Sequence, residues 1–385
     1  MWPKAMSIYL DNAATSHPKP EPVYRMVEHA MRDIGASPGR ASHRLAREAL
    51  AMVEATRKQA AEFFGVADAT RLLFTKNATE SINIVLKGWL RPGDRVVTSS
   101  VEHNAVMRPL RRLRELGVEV EITLCDVTGQ LDPDDLKKRL SPPPRLVVLT
   151  HACNVNGALQ PVEEIATLCR ESGVPLLLDA AQTGGIQPIH AEQWDLGMLA
   201  CSGHKSLLGP PGVGVLYLRP GLDVAPLIEG GTGSFSEQDI QPEGCPDRFE
   251  SGTQNLPAIA GLAAGLEFIR AKDMAHIRQH ELGLASMLED GLQEFSGLTL
   301  FKPTVRGTSA VSLRVDGLNP ADLAFLLDQG FDIAVRSGLH CAPMAHRTLR
   351  SFPEGTVRVS PGAFTTREEI EQFLRAVSSL LAQRR

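Results

Sequence analysis

The sequence predicts a three-layer α/β protein built on a mainly parallel seven-stranded sheet, followed by a smaller α/β portion. Three observations carry that expectation. Short apolar, β-rich runs recur after Gly65, at 71–75, 95–100, 118–123, 145–151, 174–179, 196–201 and 213–218. Helix-length segments at 79–90, 104–116, 133–140 and 161–172 separate the first five of them, and apolar strands alternating with helices make a parallel sheet covered on both faces. Polar or ionisable residues then stand directly after five runs, at Asn77-Ala78-Thr79, Glu102-His103, Asn154, Asp179 and Ser202-Gly203-His204-Lys205. Ligands of such sheets collect at the carboxyl ends of the strands.

In chain order, Tyr9 to Thr15 form an entry segment, and Pro18, Pro20 and Pro22 lead into a helix over 21–34 that the glycines at 35 and 39 interrupt. The stretch 41–64 is helix-periodic, with Leu45, Ala49, Met52, Val53, Thr56 and Ala60 near one face. Pro142-Pro143-Pro144 reads as a tight helix-to-strand connection. The stretch 219–257 is rich in Gly, Pro and polar residues, and a connection that long inside a compact domain serves a function or an interface. Helical patterning resumes at 258 and runs to about 295. Strands at 310–315, 333–336 and 357–360 and helices at 320–329 and 366–382 complete the chain. The expected division is a large domain over 18–260 and a small one made of 1–17 plus 261–385.

With 385 residues, 43% of them hydrophobic and 22% charged, the chain has ample material for two folded domains. A net charge of −5 argues against non-specific binding to nucleic acid or anionic membranes. The densest basic cluster, Arg108, Arg111, Arg112 and Arg114, shares a predicted helix with Leu110, Leu113 and Leu116, and reads as a solvated face. Residues 1–15 lack the apolar core of a signal peptide and no run reaches membrane-spanning length, so a cytoplasmic location is expected. The six cysteines, at 125, 153, 169, 201, 245 and 341, include no C-x-x-C pair. No disulfide framework or metal site is expected, and a cysteine with a role would be a reactive thiol.

Lys205 follows an apolar strand, where it is either a solvated turn residue or an amine held for covalent chemistry with a carbonyl cofactor. Asp179 ends another strand 26 residues earlier. It could cap the following turn or pair with a pyridinium nitrogen, keeping that ring an electron sink. Ala78-Thr79 opens a helix whose free N–H groups favour a phosphate. His103 could stack on a ring or move protons. Gly209-Pro210-Pro211-Gly212-Val213-Gly214 leads into a strand with no helix after it, which disfavours a nucleotide-binding loop.

Taken together, Tyr9-Leu10-Asp11-Asn12-Ala13-Ala14-Thr15, Thr75-x-x-Ala78-Thr79-Glu80-Ser81-Ile82-Asn83, Glu102-His103-Asn104, Asp179-x-x-Gln182 and Ser202-Gly203-His204-Lys205 resemble the class V, fold-type I pyridoxal 5′-phosphate enzymes, and among them the cysteine desulfurases. The resemblance implies that Lys205 holds the cofactor as a Schiff base, Asp179 faces the ring nitrogen, Gln182 meets the ring hydroxyl and His103 stacks on the ring. Ala78, Thr79, Ser202 and His204 would bind the phosphate. Thr253, in Phe249-Glu250-Ser251-Gly252-Thr253, would reach across a homodimer to the partner's phosphate.

Substrate choice turns on Arg336-Ser337-Gly338-Leu339-His340-Cys341, which is similar to the run that carries the sulfur-accepting cysteine of the desulfurases. Cys341 would be that nucleophile, with His340 helping its ionisation, and Arg358, 17 residues on, would bind the substrate carboxylate through its planar fork. Asn154 would stand beside it, and Asn12 would join the substrate site. The short gap resembles the group II desulfurases, with Leu339 where many of them have His. The implied reaction converts L-cysteine, or L-selenocysteine, to L-alanine and leaves a persulfide on Cys341 for an acceptor protein. The rival expectation is another class V enzyme, a selenocysteine lyase, C–S lyase or aminotransferase, in which Cys341 is dispensable. A non-enzymatic scaffold on the same fold is the other.

Overall fold

The structure is a computed structural model in which residues 8–39, 42–234 and 237–382 are described. The first seven residues of the expected small domain, its last three, and Ala41 at the start of the second expected helix lie outside them.

The entry segment contributes β1 (Ile8–Tyr9), and then come α1 (Glu21–His29), a π-helical turn at Ala30–Ile34, and α2 (Arg44–Phe63). Alternation follows as β2 (Leu72–Thr75), α3 (Ala78–Trp89), β3 (Arg95–Ser99), α4 (Asn104–Glu115), β4 (Glu119–Thr123), α5 (Pro133–Arg139), β5 (Leu146–Thr150), α6 (Val162–Glu171), β6 (Leu176–Asp179), β7 (Met198–Ser202) and β8 (Gly214–Leu218). These strands form one seven-stranded sheet in the order β2-β8-β7-β6-β5-β3-β4. Strand β8 runs antiparallel to both neighbours, and the other pairs are parallel. The cause is local. The connection from β7 to β8 contains no helix, and a parallel return needs a crossover of a dozen residues or more.

Side chains of these strands alternate between two apolar layers. Leu176 and Leu178 pack into the layer of Val53, Ala60, Ile165 and Ile259, while Leu177 packs with Ile82, Val85 and Leu110. With both faces covered, the strand ends and the loops after them are left to hold polar groups. The Arg111 and Arg112 guanidiniums pair with exposed Glu115 on the solvent side of α4, as the basic cluster predicted.

After the long connection, which holds no regular element among its described residues, come α7 (Leu256–Lys272) and α8 (Met274–Gln293), parted by Asp273 at φ +65°. The remaining elements are β9 (Leu298–Leu300), β10 (Val311–Val315), α9 (Pro320–Phe331), β11 (Ile333–Ala334), β12 (Arg336–Gly338), α10 (Pro343–Thr348), β13 (Thr356–Val359) and α11 (Arg367–Ala382). A four-stranded antiparallel sheet, β12-β13-β10-β9, covers a separate core containing Leu284, Leu288, Leu313, Val357 and Phe373. Leu10 belongs to that core, and β1 pairs in parallel with β11.

Three details differ from the sequence expectation. The single strand at 333–336 is two strands with different partners, because Val335 separates β11 beside β1 from β12 beside β13. Strand β9 is three half-buried residues after a positive-φ glycine, too short for a period to show. Helix α10 is six residues long and follows a left-handed turn.

Candidate active site

Lys205 lies three residues beyond the end of β7, in a turn held from both sides. The carbonyl of the preceding His204 accepts from Ser16 N (3.1 Å), Thr15 Oγ1 (3.1 Å) and Lys19 Nζ (2.6 Å), so the entry segment grips the turn directly. Gly185 backs it, and a Cβ there would collide with the Ser206 carbonyl. Burial lowers the Lys205 amine from 10.5 to about 8, partly opposed by the Asp179 carboxylate. The same cavity is lined by Thr79, His103, Asn154, Asp179, Gln182 and Ser202.

Asp179 ends β6 and is almost wholly buried. Burial raises its carboxyl above the ordinary range, while an N–H from Ala181 (2.9 Å) and the Lys205 charge pull the other way. His103 caps α4: its Nδ1 accepts from Ala105 N at 3.0 Å, so the neutral ring carries its proton on Nε2. Burial, then the Lys205 charge, holds that ring down to about 4, so it is uncharged at neutral pH. Gln182 donates to the Ala13 carbonyl at 3.1 Å.

At the N-terminus of α3, Asn77 caps the helix by accepting from Glu80 N (3.0 Å), and Ala78 N approaches Ser202 Oγ at 3.3 Å. Gly214 makes this approach of strand and helix end feasible, since a Cβ there would stand 2.6 Å from the Asn77 backbone. Thr79 is exposed and His204 half-buried, with burial, Lys205 and Lys19 lowering the His204 ring to about 4. A neutral imidazole, a hydroxyl and first-turn N–H groups converge there, a donor set suited to an anion.

Cys341 is exposed and sits in a tight turn between β12 and α10. The turn is tied to the cavity at two points: Asn104 N, beside His103, donates to the Cys341 carbonyl (2.8 Å), and Asn154 Nδ2 donates to the His340 carbonyl (2.7 Å). Arg358, on β13, is fully buried and donates to the Asn154 carbonyl (2.9 Å) and to Asp11 Oδ1 (2.8 Å). Its Nε and the Asn154 Oδ1 are buried and have no partner among the described residues. A buried guanidinium with a free donor beside a free amide oxygen is the arrangement a bound amino acid would complete.

Not every expected residue joins this cluster. The His340 ring does not reach the Cys341 sulfur: it is buried against Thr356 Oγ1 (3.0 Å), because the left-handed backbone at 340 turns it inward. Arg336 stands at the sulfur instead, with Nη2 3.6 Å from Sγ. Asn12 spends its amide on the Ser360 and His17 backbone, fastening the entry segment to the end of β13. Thr253 is exposed outside the Lys205 cavity, in a groove it shares with Phe249 and with Asn77 and His204 of the anion-suited end of α3. Asp11 and Lys19 gain their meaning from partners far along the chain, Arg358 and His204, and Arg336 from the turn that brings Cys341 back to it.

The family model for class-V aminotransferases matches residues 8–373. A probable cysteine desulfurase of Methanothermobacter thermautotrophicus is 33% identical over 371 residues, covering 94% of this chain and 92% of that protein. A second, from Pyrococcus abyssi, is 35% identical over 387 residues, covering 97% and 94%. The structure also superposes on the apo cysteine desulfurase of Thermococcus onnurineus NA1 with a TM-score of 0.90 at 34% identity, covering 98% of this chain and 95% of that one.

Proposed function

From the premise that this chain belongs to the aminotransferase class-V family, we propose that it is a pyridoxal 5′-phosphate-dependent cysteine desulfurase, taking sulfur from L-cysteine onto Cys341. The observation that supports the proposal is the double tether of the Cys341 turn to Asn104 and Asn154, which ties the backbone that carries this thiol to residues at the Lys205 cavity.

The donor set fits the cofactor. Asp179 is a buried carboxyl under a burial penalty, and a protonated ring nitrogen supplies the cation that relieves it. Ala78, Thr79, Ser202 and His204 offer the phosphate its donors, Gln182 serves the ring hydroxyl, and the uncharged His103 ring suits stacking. When bound, pyridoxal phosphate supplies an aldehyde for an amine and an electron-withdrawing ring that acidifies the substrate Cα.

The chain's own residues do the rest. Lys205 holds the aldehyde carbon and, when released, takes and returns protons as a free amine, for which its lowered pKa suits it. Arg358 Nε donates to the substrate carboxylate, Asn154 stands beside it, and Asn12 keeps the entry segment closed over that end. Cys341 Sγ attacks the substrate sulfur; the S–S bond forms, the Cβ–S bond breaks, and its electron pair goes to the substrate carbon, which is released as alanine after protonation.

The same reading divides the chain into a large domain over 18–260 and a small one of 1–17 plus 261–385; the two have separate apolar cores, with Leu262, Leu266 and Ile269 of α7 packed in the large one. It also makes the protein a cytoplasmic homodimer in which exposed Thr253 serves the partner's phosphate, and gives the Cys341 sulfur to an acceptor protein. Incubation with L-cysteine and product analysis tests the reaction: equimolar alanine and transferable sulfur are expected, and pyruvate or a keto acid would assign a different class-V reaction.

A further inference from the structure

We propose that Arg336 is a catalytic residue of sulfur transfer, holding Cys341 Sγ in place for attack and steadying the sulfur anion it acquires. The inference rests on the desulfurase reading for the step it serves, but its physical basis is independent.

Strands β12 and β13 set Arg336 directly opposite Arg358, and like charges facing each other across a strand pair are unfavourable. Arg358 has its counter-ion, Asp11, at 2.8 Å. Among the described residues, the only hydrogen-bond partner of the Arg336 guanidinium is the Cys341 sulfur at 3.6 Å. The sulfur anion left by the transfer would complete the pairing.

The backbone is built to hold this contact. Gly338, His340 and Cys341 have φ of +98°, +47° and +57°, and left-handed backbone at non-glycine residues persists only where surroundings enforce it. Three bonds enforce it here: Ala342 N to the Leu339 carbonyl, Asn104 N to the Cys341 carbonyl, and Asn154 Nδ2 to the His340 carbonyl. The neighbouring imidazole of His340 is engaged elsewhere, so Arg336 is the group in contact with the nucleophile. After attack, the transferred sulfur leaves Cys341 with an S–S bond and a terminal sulfur anion, one negative charge before and one after, and the guanidinium remains beside it.

The test is alkylation of Cys341 by iodoacetamide in the resting, cofactor-loaded protein, followed by peptide mass spectrometry across neutral to mildly alkaline pH. Arg336→Gln is expected to slow the reaction about tenfold, and Arg336→Lys to restore much of the rate. Modification of the Gln and Lys variants at the parent rate would overturn the proposal. Unchanged cofactor absorbance and melting temperature identify folded variants; should Arg336→Gln fail to fold, Arg336→Met takes its place, modification at the parent's rate counting against the proposal. Alkylation needs no amino-acid substrate. Its outcome is therefore separate from the fate of the desulfurase reading, which the products formed from cysteine decide.

Discussion

Lys205 shows how burial sets chemistry at the residue scale. An amine captures an aldehyde only as the free base, and one at about 8 is about half neutral at pH 8, whereas an ordinary lysine at 10.5 is almost wholly charged there. Cofactor capture by the cofactor-free protein, followed by absorbance, should rise with pH through about 8 and then level off. A rise continuing toward 10.5 would show that burial does not govern the amine. Lys205, Asp179 and His103 were legible in the sequence because each stands directly after an apolar strand. Arg336 and Asp11 were not assigned roles, because a residue's function there depends on β12–β13 register and on a bond spanning almost the whole chain, neither of which a local pattern contains.

Among the elements, the loop that presents Thr253 is fastened by one buried ion pair. Glu250 meets Arg57 of α2 with Oε1 at 2.6 Å and Oε2 at 2.9 Å, and Oε1 also accepts from Phe74 N (2.6 Å) at the edge strand β2. Removing one partner strands the other charge inside the protein, so Glu250→Ala should lose about 3–5 kcal/mol in denaturant unfolding. The paired apolar replacement Arg57→Met with Glu250→Leu should recover part of it. A loss below about 1 kcal/mol for Glu250→Ala would place the pair in the class of surface bridges. Long elements with a strong period, such as α2 and α8, and the seven apolar strands were legible in the sequence. The antiparallel β8, the split of β11 from β12, and the short β9 and α10 were set by connection length and by left-handed turns, which hydrophobic period does not encode.

Across the whole molecule, folding closes the entry segment over the Lys205 turn and buries carboxyls that the unfolded chain would leave ionised. Glu281, in the middle of α8, lines a cavity with Asn12, Gln182 and Lys205, and burial pushes its carboxyl up to about 8 from 4.5. The folded protein therefore keeps this proton over a range where the unfolded chain gives it up, so stability falls as pH rises from about 4.5 to about 8. Glu281→Gln, which cannot titrate, should gain on the parent by a few degrees of melting temperature across that window. A constant difference between the two would mean that Glu281 is ionised in the folded state.

On the proposed function, the Cys341 thiol, and not the Lys205 cavity alone, determines the reaction. Cys341→Ala, mixed with L-cysteine in a single turnover and analysed by intact-protein mass and alanine release, tests it most directly. The variant should load the cofactor with the parent's absorbance, yet gain no sulfur and release almost no alanine, while the parent gains one sulfur atom on Cys341. Alanine released by the variant at the parent's rate would contradict the account.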